Sequence, residues 1–300
     1  MYWYSFKPVD TLFFRDAKPM VMGEDHSVNY IFPPPTHTIE GALRTYFYKK
    51  DKNKFKDLIK LGESKGGFSV IGPFFKVDNK LYFPAPYSWF YDKSEEDKEE
   101  KRIYKIYRLN EKETNLIKIP SKEIYWVKSE NEELKTCGGF WISYEDFISH
   151  KNKVGLKSVG YFFEEENRVG TGLKERVVRK GHIYSFTHLR LKENVYIVFA
   201  VDKKLPIEDN SILTLGAEQR FGLIKKLKDT YTFNQESDSN FYMSLSIIET
   251  KGKNNNVIST GKIIYLGGWD LNKGFHKPMR GFFPQGTVFN KKFENCIPIN

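Results

Sequence analysis

Gly181-His182-Ile183-Tyr184-Ser185-Phe186-Thr187-His188-Leu189-Arg190-Leu191, the polar Lys192-Glu193-Asn194, and Val195-Tyr196-Ile197-Val198-Phe199-Ala200-Val201 together decide the fold class. The first part alternates with a strand's period of two, and the second is apolar on both faces, which predicts a central strand. With a polar turn between them, the pair reads as a hairpin. On the first strand Ile183, Thr187, Leu189 and Leu191 share one side, and His182, Tyr184, Phe186, His188 and Arg190 share the other. That mixed face is either an open platform for unpaired bases or a surface packed under another element.

Working outward, residues 2–6 and 11–14 read as short aromatic strand segments separated by the turn-forming Lys7-Pro8-Val9-Asp10. Three prolines, Pro33 to Pro35, stop whatever precedes them, and Thr36 or Thr38 is placed to cap a helix. Ile39, Ala42, Leu43, Tyr46 and Phe47 then fall on one helical face. Residues 68–75, the polar Asp78-Asn79-Lys80 and Leu81-Tyr82-Phe83 predict a further hairpin. Strand, helix and hairpin in this order suit the opening of a ferredoxin-like unit. The expectation is therefore an α+β protein with two ferredoxin-like (RRM-like) domains with insertions.

Three hundred residues accommodate two cores of ordinary size. Residues 144–150 form a short helix candidate, and the polar Lys151-Asn152-Lys153 that follows sets the expected boundary. The first domain is then 1–152, with a charged insertion near 91–135, and the second is 153–300. Within the insertion, YDKSEEDKEEKR at 91–102 is too charged to build a core of its own and is suited to facing a basic protein partner.

The formal charge is +10, which favours polyanionic partners through phosphate neutralisation and counterion release. Cys137 and Cys296 are the two cysteines, and their separation indicates neither a disulfide framework nor a zinc site. No leader-like start and no long apolar run is visible, so the expected location is the cytoplasm, away from membranes.

Three glycine-bearing segments are expected to be loops: Arg168-Val169-Gly170-Thr171-Gly172-Leu173-Lys174, Leu215-Gly216-Ala217-Glu218-Gln219-Arg220-Phe221-Gly222 and Gly281-Phe282-Phe283-Pro284-Gln285-Gly286. Glycine lets a backbone come close, and Arg168, Lys174, Arg176, Arg179 and Arg220 add the charge that a sugar-phosphate backbone needs. Most such segments are simply tight turns. Neither a Walker A Lys-Ser/Thr pair nor a complete GxGxxG is present, so no nucleotide cofactor is expected.

These segments resemble one family when taken in order with Thr11-Leu12-Phe13-Phe14-Arg15-Asp16, Phe32-Pro33-Pro34-Pro35-Thr36-His37-Thr38-Ile39-Glu40-Gly41-Ala42-Leu43-Arg44 and the 182–190 strand. The likeness is to the third subunit of the type III-B Cmr complex, a CRISPR-associated RAMP protein of the Cas-five-like group, and it spans nearly the whole chain. It implies a non-catalytic subunit that binds the 5′ repeat-derived tag of the guide (CRISPR) RNA. It also implies docking to the large polymerase-like subunit and to the backbone-forming subunit. Its Arg-Asp pair falls on Arg15 and Asp16, and its helix-opening Gly-Ala-Leu-Arg falls on Gly41 to Arg44. Arg15 and Arg44 are thus expected near the RNA or supporting a loop that holds it. A Gly-Gly-Glu-like loop of the family meets Gly216-Ala217-Glu218 here, which leaves Gly216 and Gly222 for close approach. Arg168, Gly170, Gly172, Lys174, Arg176, Arg179, Gly216 and Arg220 complete the expected RNA contacts, with Tyr184, Phe186 or Phe221 as stacking residues.

The alternative is a metal-independent endoribonuclease, for which His26 or His37, both in a loop or at a helix start, would act as general acid or base. A metal is not expected. Six residues of strand place His182 and His188 about 20 Å apart, and no HExxH spacing occurs. A third reading is a scaffold that touches proteins only.

Overall fold

The structure, a computed structural model, describes residues 1–15, 27–28, 30–93, 103–111, 125–127, 133–174, 177–233, 239–270 and 274–299. The chain is α+β, built mostly from antiparallel sheet with few helices. It divides into two compact units that interleave along the sequence: Met1–Asn79, Phe162–Phe233 and Ile263–Phe282 form the first, and Lys80–Tyr161, Asn234–Lys262 and Phe283–Asn300 the second. A division at 152/153 is not where compactness separates the chain. The amino-terminal strand needs partners, and it finds them on both edges in the second half of the sequence.

In the first unit we number the strands of its main sheet and its long ribbon β1 (Tyr2–Pro8), β2 (Val70–Val77), β3 (Phe163–Lys174), β4 (Val177–Leu191), β5 (Val195–Val201), β6 (Ser211–Thr214) and β7 (Phe221–Lys226). Its helices are α1 (Thr36–Asp51) and α2 (Lys56–Ile59). Five strands lie side by side in the order β2-β5-β1-β7-β6, every neighbour antiparallel. The register sets Phe6 opposite Ile197 and Ile224, and Phe75 opposite Ile197. Tyr4, Phe6, Phe74, Phe75, Ile197, Phe199, Leu213 and Ile224 are fully buried. Each such large side chain contributes roughly 2 kcal/mol through removal from water. Helix α1 buries Ile39, Leu43 and Phe47, spaced by four, as the sequence predicts. Its entry differs from the expected threonine cap. No side chain caps α1, and the buried Thr36 hydroxyl donates instead to the Gly72 carbonyl.

Strand β5 is central, as its two apolar faces require. The expected hairpin is nevertheless not formed. Asn194 turns the chain with φ of 60° and the Val195 N–H donates to the Lys192 carbonyl, yet β4 and β5 pair elsewhere. Strand β5 takes β1 and β2 as neighbours, while β4 pairs with β3 along their length. A strand apolar on both faces belongs in the middle of a sheet, and its alternating predecessor does not.

The second unit holds a four-stranded sheet in the order Val257–Ser259, Val288–Phe289, Phe241–Ser244, Cys296–Ile299, and another in the order Tyr125–Val127, Tyr107–Glu111, Trp89–Asp92, Leu134–Thr136. Its helix Tyr144–Ile148, shorter by two residues than expected, starts where the Ser143 hydroxyl accepts from the Asp146 N–H at 3.1 Å. Both cysteines are free and buried, and burial pushes the Cys296 thiol up to about 12 and the Cys137 thiol up as well. Neither is a thiolate at neutral pH. Of the charged insertion, 94–102, 112–124 and 128–132 lie outside the described residues. No described helix is long and apolar enough to cross a membrane.

Candidate nucleic-acid interface

The segment Arg168 to Lys174 is a strand, not a loop. Strands β3 and β4, twelve and fifteen residues long, pair antiparallel from Phe163↔Leu191 to Lys174↔Val177. At about 3.3 Å per residue the ribbon is roughly 40 Å long. Gly170 does not break it, for it sits in register opposite Tyr184; the register shifts between Thr171 and Leu173, where the single residue Gly172 stands against residues 179–182 of β4, so the extra residues lie on β4. The ribbon is anchored at one end, where Phe163, Leu189 and Leu191 are buried and Leu12 and Leu189 exchange backbone hydrogen bonds of 2.8 Å in both directions. Toward the other end Val169 is 71% exposed and Val177 68%. Lys174 and Arg179 hold strand positions in this outer part, and Arg176 lies outside the described residues.

At the anchored end the arginines are already occupied. Asp10 accepts from Arg190 at 2.9 Å on one carboxylate oxygen, and from Arg220 at 2.9 Å and Arg168 at 3.3 Å on the other. Glu166 accepts from Arg168 at 2.7 Å and from Arg190 at 2.7 Å, and Glu218 accepts from Arg220 at 3.1 Å. Three guanidiniums thus face three carboxylates. Burial opposes ionisation of Asp10, but the Thr11 N–H and the Arg168 and Arg190 side chains outweigh it and hold its carboxyl below the usual value. Hydrogen bonds from Arg168 and Arg190 lower that of Glu166 in the same way. His188 lies beneath, buried, its Nδ1 3.0 Å from the Thr11 hydroxyl and its ring stacked on Phe13 at 5.3 Å. Burial, then the positive charges of Arg168 and Arg220, push its pKa down, so it is neutral at pH 7.

Arg168 and Arg220 were expected to contact the RNA; the structure pairs both with carboxylates, and a cluster of balanced charge exerts little pull on a polyanion. Sequence reasoning named Arg168, Arg190, Arg220 and His188 but missed Asp10, Glu166 and Glu218 as their partners. An aspartate after a strand reads as an ordinary turn residue, and no local signal marks it.

The second glycine segment is a tight connection between β6 and β7, in which Gly216 (φ 97°), Glu218 (φ 55°) and Gln219 (φ 54°) are left-handed. A Cβ on Gly216 would stand 2.8 Å from the Phe13 carbonyl oxygen, and one on Gly222 2.3 Å from that of Lys7. Both glycines serve close packing of the protein's own backbone. Around the third segment, the Gly286 N–H donates to the Ser244 carbonyl and the Gly286 carbonyl accepts from Tyr87. Arg44 is likewise committed. Its Nε donates to the Ile59 carbonyl at 2.7 Å, and its Nη2 to those of Lys60 and Glu63 at 2.9 and 3.0 Å. It caps the end of α2 and holds the turn that follows it. Arg15 is exposed and forms a backbone bridge with Tyr30, while its neighbour Asp16 lies outside the described residues.

Phe186 packs on Phe13 at 5.2 Å and His188 stacks on the same ring, so this part of the β4 face is covered. Phe221 is 46% exposed. His26 is outside the described residues. The His37 ring lies at the surface, 5.8 Å from that of Phe282, and the crowding around it, with Lys277, holds its pKa down at about 4. Among the described residues no His, Cys, Asp and Glu cluster could hold a metal ion.

A protein of mostly antiparallel sheet with few helices, carrying a long two-stranded ribbon, is the class defined so far. The family model for CRISPR-associated protein (Cas_Cmr3) matches residues 4–255, and the chain belongs to that family. It is thereby a type III CRISPR effector subunit. Its fold is similar to a chain of the type III-B Cmr-beta complex bound to cognate target RNA and AMPPnP, at a TM-score of 0.60 and 16% identity, over 96% of this chain and 85% of that one. A chain of Cmr-beta bound to cognate target RNA gives 0.58 and 15%, over 96% and 86%. No curated protein matches the sequence.

Proposed function

We propose that this chain is the non-catalytic subunit that holds the 5′ repeat-derived tag of the guide RNA in a cytoplasmic type III-B complex. In that complex it docks to the large polymerase-like subunit and the backbone-forming subunit. The observation that carries this reading is the ribbon, anchored at one end and rich in basic residues at the other. From Val169 to Lys180 the sequence has Lys174, Arg176, Arg179 and Lys180 against Glu175 alone. Phosphate neutralisation there supplies affinity, and glycines at 170 and 172 keep one stretch of the strand free of bulk. Phe221, on the open side of β7, is an exposed stacking candidate.

The sheet order of the first unit supports the ferredoxin-like reading. Strands β2-β5-β1-β7 run antiparallel with α1 between β1 and β2, and β6 stands where a second helix would be expected. For the second unit the ferredoxin-like reading rests on the family resemblance alone. For the nuclease alternative, His37 with its pKa held down at about 4 could serve at neutral pH as a base and not as an acid.

The test is an electrophoretic shift of labelled guide RNA with an intact or a scrambled tag, over a salt series, with RNA length checked afterwards. Tag-dependent, salt-sensitive retention of uncut RNA is the expected result. Shortened RNA establishes the nuclease, and equal binding of both tags sinks tag recognition.

A further inference from the structure

Five of the eight residues from Lys49 to Lys56 are lysine, and none of them belongs to the ribbon. Helix α1 ends at Asp51, and the chain folds back so that Phe55 is buried against Phe47, ring centroids 5.1 Å apart. This pin turns the lysines outward, and Lys49, Lys50, Lys52, Lys54 and Lys56 are all exposed. From Lys49 to Lys60 six lysines face Asp51 and Asp57, a net of four positive charges in twelve residues against ten in the whole chain. Asp51 spends one carboxylate oxygen on the N–H groups of Asn53 and Lys54. Lys50 pairs with Glu208 at 2.9 Å and Lys60 with Glu63 at 3.7 Å. Among the described residues Lys49, Lys52, Lys54 and Lys56 have no carboxylate within ion-pair distance. Lysines in a last helical turn also stabilise the helix end, which accounts for Lys49 and Lys50 but not for those beyond it.

The chemistry fits a sugar-phosphate backbone. Lysine is a mobile point charge without the fork that reads a defined pair of acceptors, so such a group neutralises phosphates without choosing a sequence. Protein interfaces are depleted in lysine and are centred on buried aromatic anchors, whereas here Tyr48 and Leu61 are exposed singly. A lipid surface needs an apolar face to insert, and Phe47, Phe55 and Ile59 are turned into the core. The patch is also separate from the ribbon's anchor. Lys50 and Tyr46 meet Glu208 and Ser211 at the start of β6, and the far end of β6 leads to Glu218 and Arg220 of the charge cluster. Four residues of strand, roughly 14 Å, lie between.

We infer that Lys49, Lys52, Lys54 and Lys56 form a second RNA-backbone contact, sequence-independent and taking a stretch of strand outside the tag. Its setting rests on the RNA-binding reading above, but its test does not. The full chain and a K49Q/K52Q/K54Q/K56Q variant are titrated with a short RNA of the tag sequence alone and with a longer single strand lacking the tag, each over a salt series. Four contacts predict that the salt slope for the longer strand shrinks by about 3 on substitution, while the short tag binds unchanged. The Lys→Arg variant at the same four positions restores the longer strand. Unchanged binding of the longer strand to the Gln variant overturns the inference, as does an equal loss for both RNAs. Lysine-dependent capture by phosphatidylserine vesicles without lysine-dependent RNA binding overturns it too. If the short tag never binds while the longer strand shows the lysine dependence, the tag-holding function fails and this inference stands.

Discussion

At the anchored end of the ribbon Arg168, Arg190 and Arg220 meet Asp10, Glu166 and Glu218 and their charges balance, whereas the sequence from Val169 to Lys180 carries four basic residues and one acidic residue, Glu175. The same residue types hold the fold together in one region and, on the proposed function, meet a polyanion in the other. An arginine with carboxylates on several donors is a fastener, and the arginines beyond residue 174, with Glu175 as their one acidic neighbour in that stretch, are the proposed grip.

The largest expected effect comes from removing the grip. K174Q/R176Q/R179Q/K180Q should lower affinity for tag RNA on the order of 100-fold at moderate salt, measured by filter binding, with the melting temperature unchanged. Arg44→Ala should do the opposite, costing about 2 kcal/mol in urea unfolding through three lost carbonyl contacts and leaving RNA affinity within about two-fold. Asp10→Asn should cost about 1 kcal/mol, a value discounted because its side chain is 43% exposed, with the loss of amide protection concentrated in β3 and β4. RNA affinity that falls more for Asp10→Asn than for the outer substitutions would merge the two regions into one.

Acid should loosen the anchored end first. In the unfolded chain His188 takes up a proton near 6.5, and its folded pKa is lower. The unfolded state then binds more protons, so the stability His188 contributes is present above about 6.5 and is lost as pH falls through its folded value. Asp10 and Glu166, also lowered, add a loss below about 4. Urea midpoints from pH 7.5 to 5 should fall by a few tenths of a molar in the wild type and less in His188→Phe.

The helix face Ile39, Leu43, Phe47 and the central position of β5 were legible because periodicity and two-sided hydrophobicity are local signals. The pairing of β4 was not, because a three-residue turn between two strands normally closes a hairpin, and the competing partner β3 contains glycines that read as a loop. The interleaved units were hidden for a similar reason, since β1 finds its neighbours about 200 residues away. Of the expected site residues, Arg168 and Arg220 were visible as charges while the acids that neutralise them were invisible, and Gly216 was legible as a place of close approach, which the structure shows to the Phe13 carbonyl.

Photocrosslinking of a guide RNA carrying 4-thiouridine in its 5′ tag, with mapping of the linked peptides, tests the division of the ribbon most directly. The account predicts crosslinks within 169–180. Crosslinks confined to the peptides of Arg168, Arg190 and Arg220, with none in the outer half, would contradict it.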